Sequence, residues 1–286
     1  MTLSHDVAGE GPAVVLLHSG VCDRRMWEPQ WRPLVEAGYR VVRCDFRGFG
    51  DSPVADRPYS DAEDVAQLLG ALRTEAVVLV GSSYGGTVAL EAAARWPELV
   101  SALVLLCSGS PGHKPSDALR SIGEQEDALL TAGDTAGAVE LMVETWLGPE
   151  ADDTARDQLR RMQRRAFEVQ SADGAEDAEG FWQPASGVDL SRIEVPCLAV
   201  SGGHDMVDFR EIATRLPEQL KGARHLELPW AGHLPGLERP DAVSALLTEF
   251  LRGLQPTADS RQPPPHAADV GQAPPDTTRH RARHQH

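Results

Sequence analysis

The chain has 286 residues, of which 41% are hydrophobic and 24% are charged, and its formal net charge at pH 7 is −16. A composition of this kind is typical of a globular protein that buries a sizeable core. The negative charge argues against nucleic acid as a partner, because nucleic-acid binding depends on a basic surface that neutralises phosphates.

Membrane insertion is not expected either. The longest apolar runs, at 13–17, 76–80 and 99–107, are shorter than the roughly 20 residues that a spanning helix needs. The first residues show no basic segment followed by an apolar one, as a signal peptide would. The sequence therefore predicts a soluble cytoplasmic protein that does not associate with membranes.

The cysteines are scattered along the chain and have no C-x-x-C spacing. They are Cys22, Cys44, Cys107 and Cys197. Three of them lie in or beside apolar runs, where a reduced cysteine behaves as a small hydrophobic residue. We expect neither a disulfide framework nor a metal site.

Short apolar runs alternate with helical patterns along most of the chain. Strands are predicted at 2–7, 13–17, 39–44, 76–80, 99–107, 195–201 and 225–228, and helices at 61–72, 85–95, 208–216 and 240–252. Continuous apolar runs separated by helices are typical of a parallel sheet that is buried on both faces. The alternation predicts an α/β fold with a doubly wound, mostly parallel sheet.

The alternation is interrupted once, between residues 112 and 190. This stretch contains only helical patterns, at 116–131, 134–146 and 152–169, and acidic residues outnumber basic ones in it. We interpret it as a helical cap inserted into a core formed by residues 1–111 and 191–254. Residues 255–286 are rich in proline and histidine and poor in large apolar side chains, so we expect a disordered tail.

The sequence Gly81-Ser82-Ser83-Tyr84-Gly85 joins a predicted strand to a predicted helix. It fits the G-x-S-x-G pattern, in which small residues on both sides allow a turn so tight that the central side chain is exposed at the sheet edge. The pattern alone occurs by chance in many chains, but here it lies in the structural context that it requires. Ser83, rather than Ser82, is therefore the candidate nucleophile.

A serine hydroxyl needs a base to accept its proton and an acid to orient that base. Asp205 follows the strand 195–201, and His233 follows the strand 225–228, so both should lie at the same sheet edge as Ser83. The order Ser, Asp, His matches the hydrolase version of the triad. Asp208 is an alternative acid, and we prefer Asp205 because it is nearer to the end of its strand.

Acyl chemistry also requires amides that stabilise the negatively charged intermediate. One donor should be the backbone N–H of Tyr84, directly after the nucleophile, and the other should come from the loop 18–22 after the strand 13–17. Loss of one such donor typically lowers turnover roughly 10²–10³-fold.

Five segments resemble the α/β-hydrolase superfamily, and among its branches they are most similar to capped esterases and enol-lactonase-like proteins. They are LLHSGVCDRRMW (16–27), DFRGFGDS (45–52), VGSSYGGTVALEAA (80–93), GGHDMVDF (202–209) and AGHLPGLERPDAV (231–243). The resemblance implies a sheet of about seven or eight strands, a helical cap and the triad Ser83, Asp205 and His233. It also implies Gly20, in preference to Val21, as the second oxyanion donor.

Two features depart from the family pattern. His18-Ser19 stands where the family commonly has His-Gly, which crowds the loop that carries the second oxyanion donor. Only one short strand is predicted before the strand 13–17, where the family usually has a longer hairpin.

The serine nucleophile restricts the reaction class, because the dehalogenase and epoxide hydrolase branches use aspartate at this position. We therefore predict a serine hydrolase that cleaves a small or medium ester, lactone or related acyl substrate without a cofactor. Candidate substrate-binding residues, for which core packing is the alternative role, are Cys22, Trp146, Phe181, Trp182, Met206 and Leu234. The alternative function is a ligand-sensing protein on the same fold, with slow or vestigial hydrolysis. The sequence does not reveal the oligomeric state.

Overall fold

A seven-stranded sheet forms the centre of the computed structural model, which describes residues 3–172, 181–183 and 187–254. The strands are β1 (His5–Ala8), β2 (Ala13–Leu17), β3 (Arg40–Cys44), β4 (Val77–Ser82), β5 (Val100–Leu106), β6 (Cys197–Gly202) and β7 (Ala223–Leu228). Their order is β1-β3-β2-β4-β5-β6-β7. Only β1 is antiparallel to its neighbour. The predicted mostly parallel sheet is confirmed, and it has seven strands with a single short leading strand.

Helices cover both faces of this sheet. They are α1 (Glu28–Glu36), α2 (Asp61–Ala71), α3 (Tyr84–Arg95), α4 (Asp117–Thr131), α5 (Thr135–Trp146), α6 (Asp153–Gln170), α7 (Val207–Gln219), α8 (Pro235–Glu238) and α9 (Pro240–Gly253). Alternate strand residues point to opposite faces, so Val14 and Leu16 join one buried cluster and Val15 and Leu17 join the other. Side chains from α1 and α9 complete the first cluster, and side chains from α2 and α3 complete the second.

Helix α1 was not predicted from the sequence. Pro29 lies at its first turn, where proline is well tolerated, but Pro33 lies inside the helix. The helix nevertheless forms because Leu34 is fully buried against the first cluster and α1 packs against α9. Tertiary packing thus outweighs an unfavourable local sequence.

The segment between β5 and β6 contains α4, α5 and α6, which begin where the sequence predicted. A side chain caps the start of each helix: Ser116 accepts the Leu119 N–H, Asp134 the Gly137 N–H and Asp152 the Ala155 N–H. Side chains of α5 and α6, including Met142, Val143, Leu159 and Met162, belong to the same buried cluster as β2, α1 and α9. These helices therefore share the core of the sheet.

Three further predictions concern the C-terminal tail, the state of the cysteines and the absence of a membrane-spanning helix. The predicted tail, 255–286, lies outside the described residues. The four cysteines are buried and unpaired. Among the described residues, no helix has the length and apolar character that crossing a bilayer would require.

Candidate active site

Ser83 lies in the turn between β4 and α3, with φ 52° and ψ −116°. This left-handed conformation is costly for a residue with a side chain and is concentrated at functional sites. A side chain at Gly81 would collide with the backbone of Gly85, and one at Gly85 would collide with the carbonyl oxygens of Leu17 and His18. The two glycines therefore permit the turn that brings Ser83 to the sheet edge.

The adjacent serines have different surroundings. The Ser82 hydroxyl is buried and has no hydrogen-bond partner among the described residues. The Ser83 Oγ lies 2.7 Å from Nε2 of His233. Only the second serine is thus in contact with a base.

His233 joins Ser83 to Asp205. Its Nδ1 lies 2.9 Å from each carboxylate oxygen of Asp205. Because an ionised carboxylate only accepts hydrogen bonds, Nδ1 carries the proton and Nε2 is free to accept the proton of the Ser83 hydroxyl. The structure thus brings together the three side chains that the sequence singled out, in the order that proton transfer requires.

Two aromatic rings hold the imidazole of His233. The Trp146 ring lies 4.6 Å from it and the Phe209 ring 4.1 Å, measured between centroids. Trp146 was predicted to contact substrate, whereas Phe209 was not singled out. Phe209 lies in the first turn of α7, which begins two residues after Asp205.

The rival acid, Asp208, points away from the triad. Its oxygens accept hydrogen bonds from His113 Nε2 at 2.8 Å, the Ser116 N–H at 2.7 Å and the Ser116 hydroxyl at 2.6 Å. Desolvation would raise the pKa of Asp208, but these hydrogen bonds outweigh it and hold the pKa below its usual value. Asp208 therefore anchors the start of α4 to α7.

The loop after β2 places the Gly20 backbone beside Tyr84. A Cβ atom at Gly20 would lie 3.5 Å from Cβ of Tyr84. The Tyr84 N–H lies at the first position of α3, where helical amides have no intrahelical partner. Neither amide has a hydrogen-bond partner among the described residues. The two residues predicted to supply oxyanion donors are therefore adjacent, and their role stays a prediction.

His18 fixes the orientation of this loop. Its Nδ1 donates to the Ser19 carbonyl at 2.8 Å, and its Nε2 accepts the Phe46 N–H at 2.9 Å. Because the Ser19 carbonyl and the Gly20 N–H share one peptide plane, holding the carbonyl directs the N–H to the opposite side. Desolvation lowers the pKa of His18, consistent with a neutral ring that both donates and accepts.

Ser19 occupies the position where the family commonly has glycine. Its side chain is buried, and its Oγ accepts the Val21 N–H at 3.5 Å. This contact engages the amide of Val21, the less favoured oxyanion donor, and leaves that of Gly20 free. The substitution is thus accommodated without occupying the Gly20 amide.

The Tyr84 side chain lies between a buried carboxylate and the segment 181–183. Its hydroxyl donates to Asp61 Oδ2 at 2.5 Å and accepts from Trp182 Nε1 at 3.1 Å. Tyr59 exchanges backbone hydrogen bonds with this segment, donating to the Phe181 carbonyl and accepting from the Gln183 N–H, each at 2.9 Å. The residue after Ser83 is thus tied to the segment before β6.

The carboxylate of Asp61 is expected to cost stability at neutral pH. Burial raises its pKa to about 6, although Tyr84 and Arg47 oppose the shift and Asp64 and Glu91 add to it. A folded-state pKa above the ordinary 3.8 means that the folded protein binds the proton more tightly, so stability falls as pH rises from about 4 to 6. The difference corresponds to about 3 kcal/mol.

We therefore expect Asp61→Asn to raise Tm at pH 8 and to leave it nearly unchanged at pH 4.5, as measured by differential scanning calorimetry. The asparagine keeps an acceptor for Tyr84 and removes the buried charge. A decrease in Tm of equal size at both pH values would contradict this account of the charge.

The predicted substrate-binding residues differ in their surroundings. Cys22, Trp146 and Leu234 belong to the first buried cluster, and Met206 packs against it. Trp182 is 44% exposed. Their contact with substrate stays a prediction.

Cys107 lies behind the triad. Its Sγ, a carboxylate oxygen of Asp205 and a ring nitrogen of His233 are within 4.8 Å of one another, the one such group of potential metal ligands in the described part of the chain. Burial and the Asp205 carboxylate raise the pKa of the Cys107 thiol well above its usual value. The thiol is a hydrogen-bond donor, and Sγ donates to the Gly232 carbonyl at 3.5 Å.

Known proteins resemble this chain over most of its length. It is 28% identical over 281 residues to a pimeloyl-acyl carrier protein methyl ester esterase of Neisseria meningitidis, covering 94% of this chain and 86% of the relative. It is 27% identical over 263 residues to a 2-hydroxy-6-oxononadienedioate/2-hydroxy-6-oxononatrienedioate hydrolase of Comamonas testosteroni, covering 85% and 89%. A thermophilic esterase of Thermogutta terrifontis superposes with a TM-score of 0.73 at 26% identity, covering 88% of this chain and 93% of that one.

A family model also matches most of the chain. The sequence model described as the alpha/beta hydrolase family matches residues 14–246, which include β3 to β7 and all of β2 except Ala13. The resemblance drawn from the five sequence segments is confirmed: the chain belongs to the alpha/beta hydrolase family.

Proposed function

We propose that the protein is a serine hydrolase that cleaves a small or medium carboxylic ester, lactone or related acyl substrate through an acyl-enzyme. The hydrogen-bonded series from Ser83 through His233 to Asp205, at 2.7 and 2.9 Å, is the observation that carries the proposal. The relatives named as esterases and hydrolases support the same reaction class.

In the acylation step, Ser83 Oγ attacks the acyl carbon while its proton moves to Nε2 of His233. The carboxylate of Asp205 stabilises the imidazolium that results. The N–H groups of Gly20 and Tyr84 stabilise the oxyanion of the tetrahedral intermediate. When the intermediate collapses, the leaving oxygen takes the proton from His233 and departs as an alcohol, and the acyl group stays on Ser83.

In the second half, a water molecule attacks the acyl carbon as His233 accepts one of its protons. The second tetrahedral intermediate collapses with cleavage of the bond to Ser83 Oγ, which regains the proton from His233. The carboxylic acid leaves, and the enzyme returns to its starting protonation state.

We also propose that residues 112–190 form a cap that shapes the substrate pocket. In support, Trp146 of α5 packs against the His233 ring, and the His233 N–H donates to the Trp146 carbonyl at 3.1 Å. An apolar lining from Cys22, Met206, Leu234 and the aromatic residues of the cap would suit an apolar acyl group. The acidic character of this stretch disfavours multiply anionic substrates.

The test is intact-mass analysis after exposure to a fluorophosphonate, together with p-nitrophenyl esters from acetate to octanoate. We expect one adduct on the protein and turnover that depends on acyl length. A protein that forms no adduct and hydrolyses no ester would contradict the proposal. The ligand-sensing function would then be tested by measuring partner binding with and without ligand.

A further inference from the structure

Glu238, at the end of α8, is a buried carboxylate that the catalytic steps above do not use. It is 6% exposed, and its oxygens accept the Gly232 N–H at 3.1 and 2.8 Å and the Leu234 N–H at 3.2 Å. These two amides lie on either side of His233 in the chain. The carboxylate therefore binds the backbone immediately before and immediately after the general base.

The same carboxylate lies beside the connection between α5 and α6. Gly148, two residues after α5, is close to Glu238. A Cβ atom at Gly148 would lie 2.5 Å from the Gly232 nitrogen and 2.6 Å from Glu238 Oε2. Glycine at position 148 thus allows the insertion, the loop and the carboxylate to meet at one point.

Three successive amides of the loop are anchored in this way. The N–H groups of Gly232 and Leu234 donate to Glu238, and the His233 N–H between them donates to the Trp146 carbonyl at 3.1 Å. Because the three consecutive N–H groups all donate to acceptors outside the loop, the loop has little freedom to move the imidazole. Catalysis is sensitive to such freedom, because a displacement of about 1 Å can cost about 10² in rate.

The charge of Glu238 also lies near the triad. Burial raises the pKa of Glu238, the backbone hydrogen bonds from Gly232 and Leu234 oppose this, and the Asp205 carboxylate adds to it. The two N–H donors at the carboxylate favour its acceptor-only form. The Asp205 carboxylate and the buried Cys107 thiol are the titratable groups beside His233, and Glu238 lies near enough to Asp205 for their negative charges to repel.

We infer that Glu238 is a positioning residue for the general base: its carboxylate holds the His233 loop against the connection between α5 and α6, and its negative charge favours the imidazolium form during turnover. This inference rests on the proposed function. It gives a role in the reaction to a carboxylate whose hydrogen bonds are to the backbone amides on either side of His233.

The decisive variant is Glu238→Gln, which keeps the side-chain size, removes the charge and turns a donor toward backbone N–H groups. We expect kcat for a p-nitrophenyl ester to fall by about 10² with KM nearly unchanged, because the loop shifts while substrate contacts stay. We also expect the acid limb of the kcat/KM profile to move to lower pH. Loss of a charge that favours the imidazolium makes the imidazole harder to protonate. Glu249→Gln, at an exposed glutamate of α9, is the matched control and should behave as wild type.

A second variant separates position from charge. Gly148→Ala introduces a Cβ against the Gly232 amide and Glu238 Oε2 and removes neither the Glu238 nor the Asp205 carboxylate. It should lower kcat while the acid limb stays at the wild-type pH. It also decides the matter if Glu238→Gln does not fold, since wild-type kcat in Gly148→Ala would then overturn the inference.

The inference would be overturned by a Glu238→Gln protein with wild-type kcat and an unshifted acid limb, even if its Tm were lower, because the carboxylate would then serve stability alone. Failure of the proposed function looks different. In that case the wild-type protein itself would neither hydrolyse the esters nor react with the fluorophosphonate.

Discussion

Replacing Ser83 by alanine is expected to lower kcat for ester hydrolysis on the order of 10⁶-fold, the loss that removal of a triad serine produces. The substitution removes the attacking oxygen and the hydrogen bond that the Ser83 hydroxyl donates to His233 Nε2. Alanine at φ 52° keeps a Cβ as serine does, so the fold should be retained. Stopped assays with p-nitrophenyl esters measure the loss, and circular dichroism checks the fold.

The neighbouring serine provides the matched control. Ser82→Ala removes a buried hydroxyl that has no hydrogen-bond partner among the described residues, so its activity should stay close to wild type. A fluorophosphonate adduct that persists in Ser83→Ala would show that another residue is the reactive nucleophile.

The second large effect is expected for Asp205→Asn, which should lower kcat about 10⁴-fold, as the corresponding change does in other triad enzymes. An asparagine can present its NH₂ group to Nδ1 of His233. The imidazole would then carry its proton on Nε2, where it could no longer accept the proton of Ser83. The pH dependence of kcat/KM and the rate of fluorophosphonate labelling would both report the loss.

Asp208→Asn is the comparison for this variant, because Asp208 is three residues away and equally buried but binds His113 and Ser116. We expect activity near that of the wild type and a small decrease in Tm from the weakened anchor of α4. The opposite ranking of the two variants would identify Asp208 as the triad acid.

The sequence predicted that these three candidate residues lie together because strand topology brings them to one edge of the sheet. Ser83, Asp205 and His233 each follow a strand of one parallel sheet, and the carboxyl ends of parallel strands share an edge. The local signal for Ser83 was strong, since only small residues fit at positions 81 and 85. Chain order and strand exits sufficed without any knowledge of side-chain contacts.

Other features depend on contacts that no local pattern encodes. Helix α1 contains Pro33 and forms because of its packing against α9, which is about two hundred residues further along the chain. The roles of Phe209 and Glu238 depend on where α7 and α8 lie relative to the His233 loop. No local pattern around Phe209 indicates its contact with His233, and nothing in the residues around Glu238 predicts that its carboxylate accepts the Gly232 and Leu234 amides.

The separation of Ser83 and His233 along the chain has a consequence for folding. The two residues are 150 positions apart, and their strands are joined only through β5 and β6. Contacts between such distant segments form late, because the entropy of closing the chain must be overcome first. A chain that has formed the β4 turn but not docked β7 would hold the nucleophile without its base. The rate at which Ser83 is labelled would therefore measure the fully folded fraction during refolding, where secondary-structure signals would already report partly folded chains.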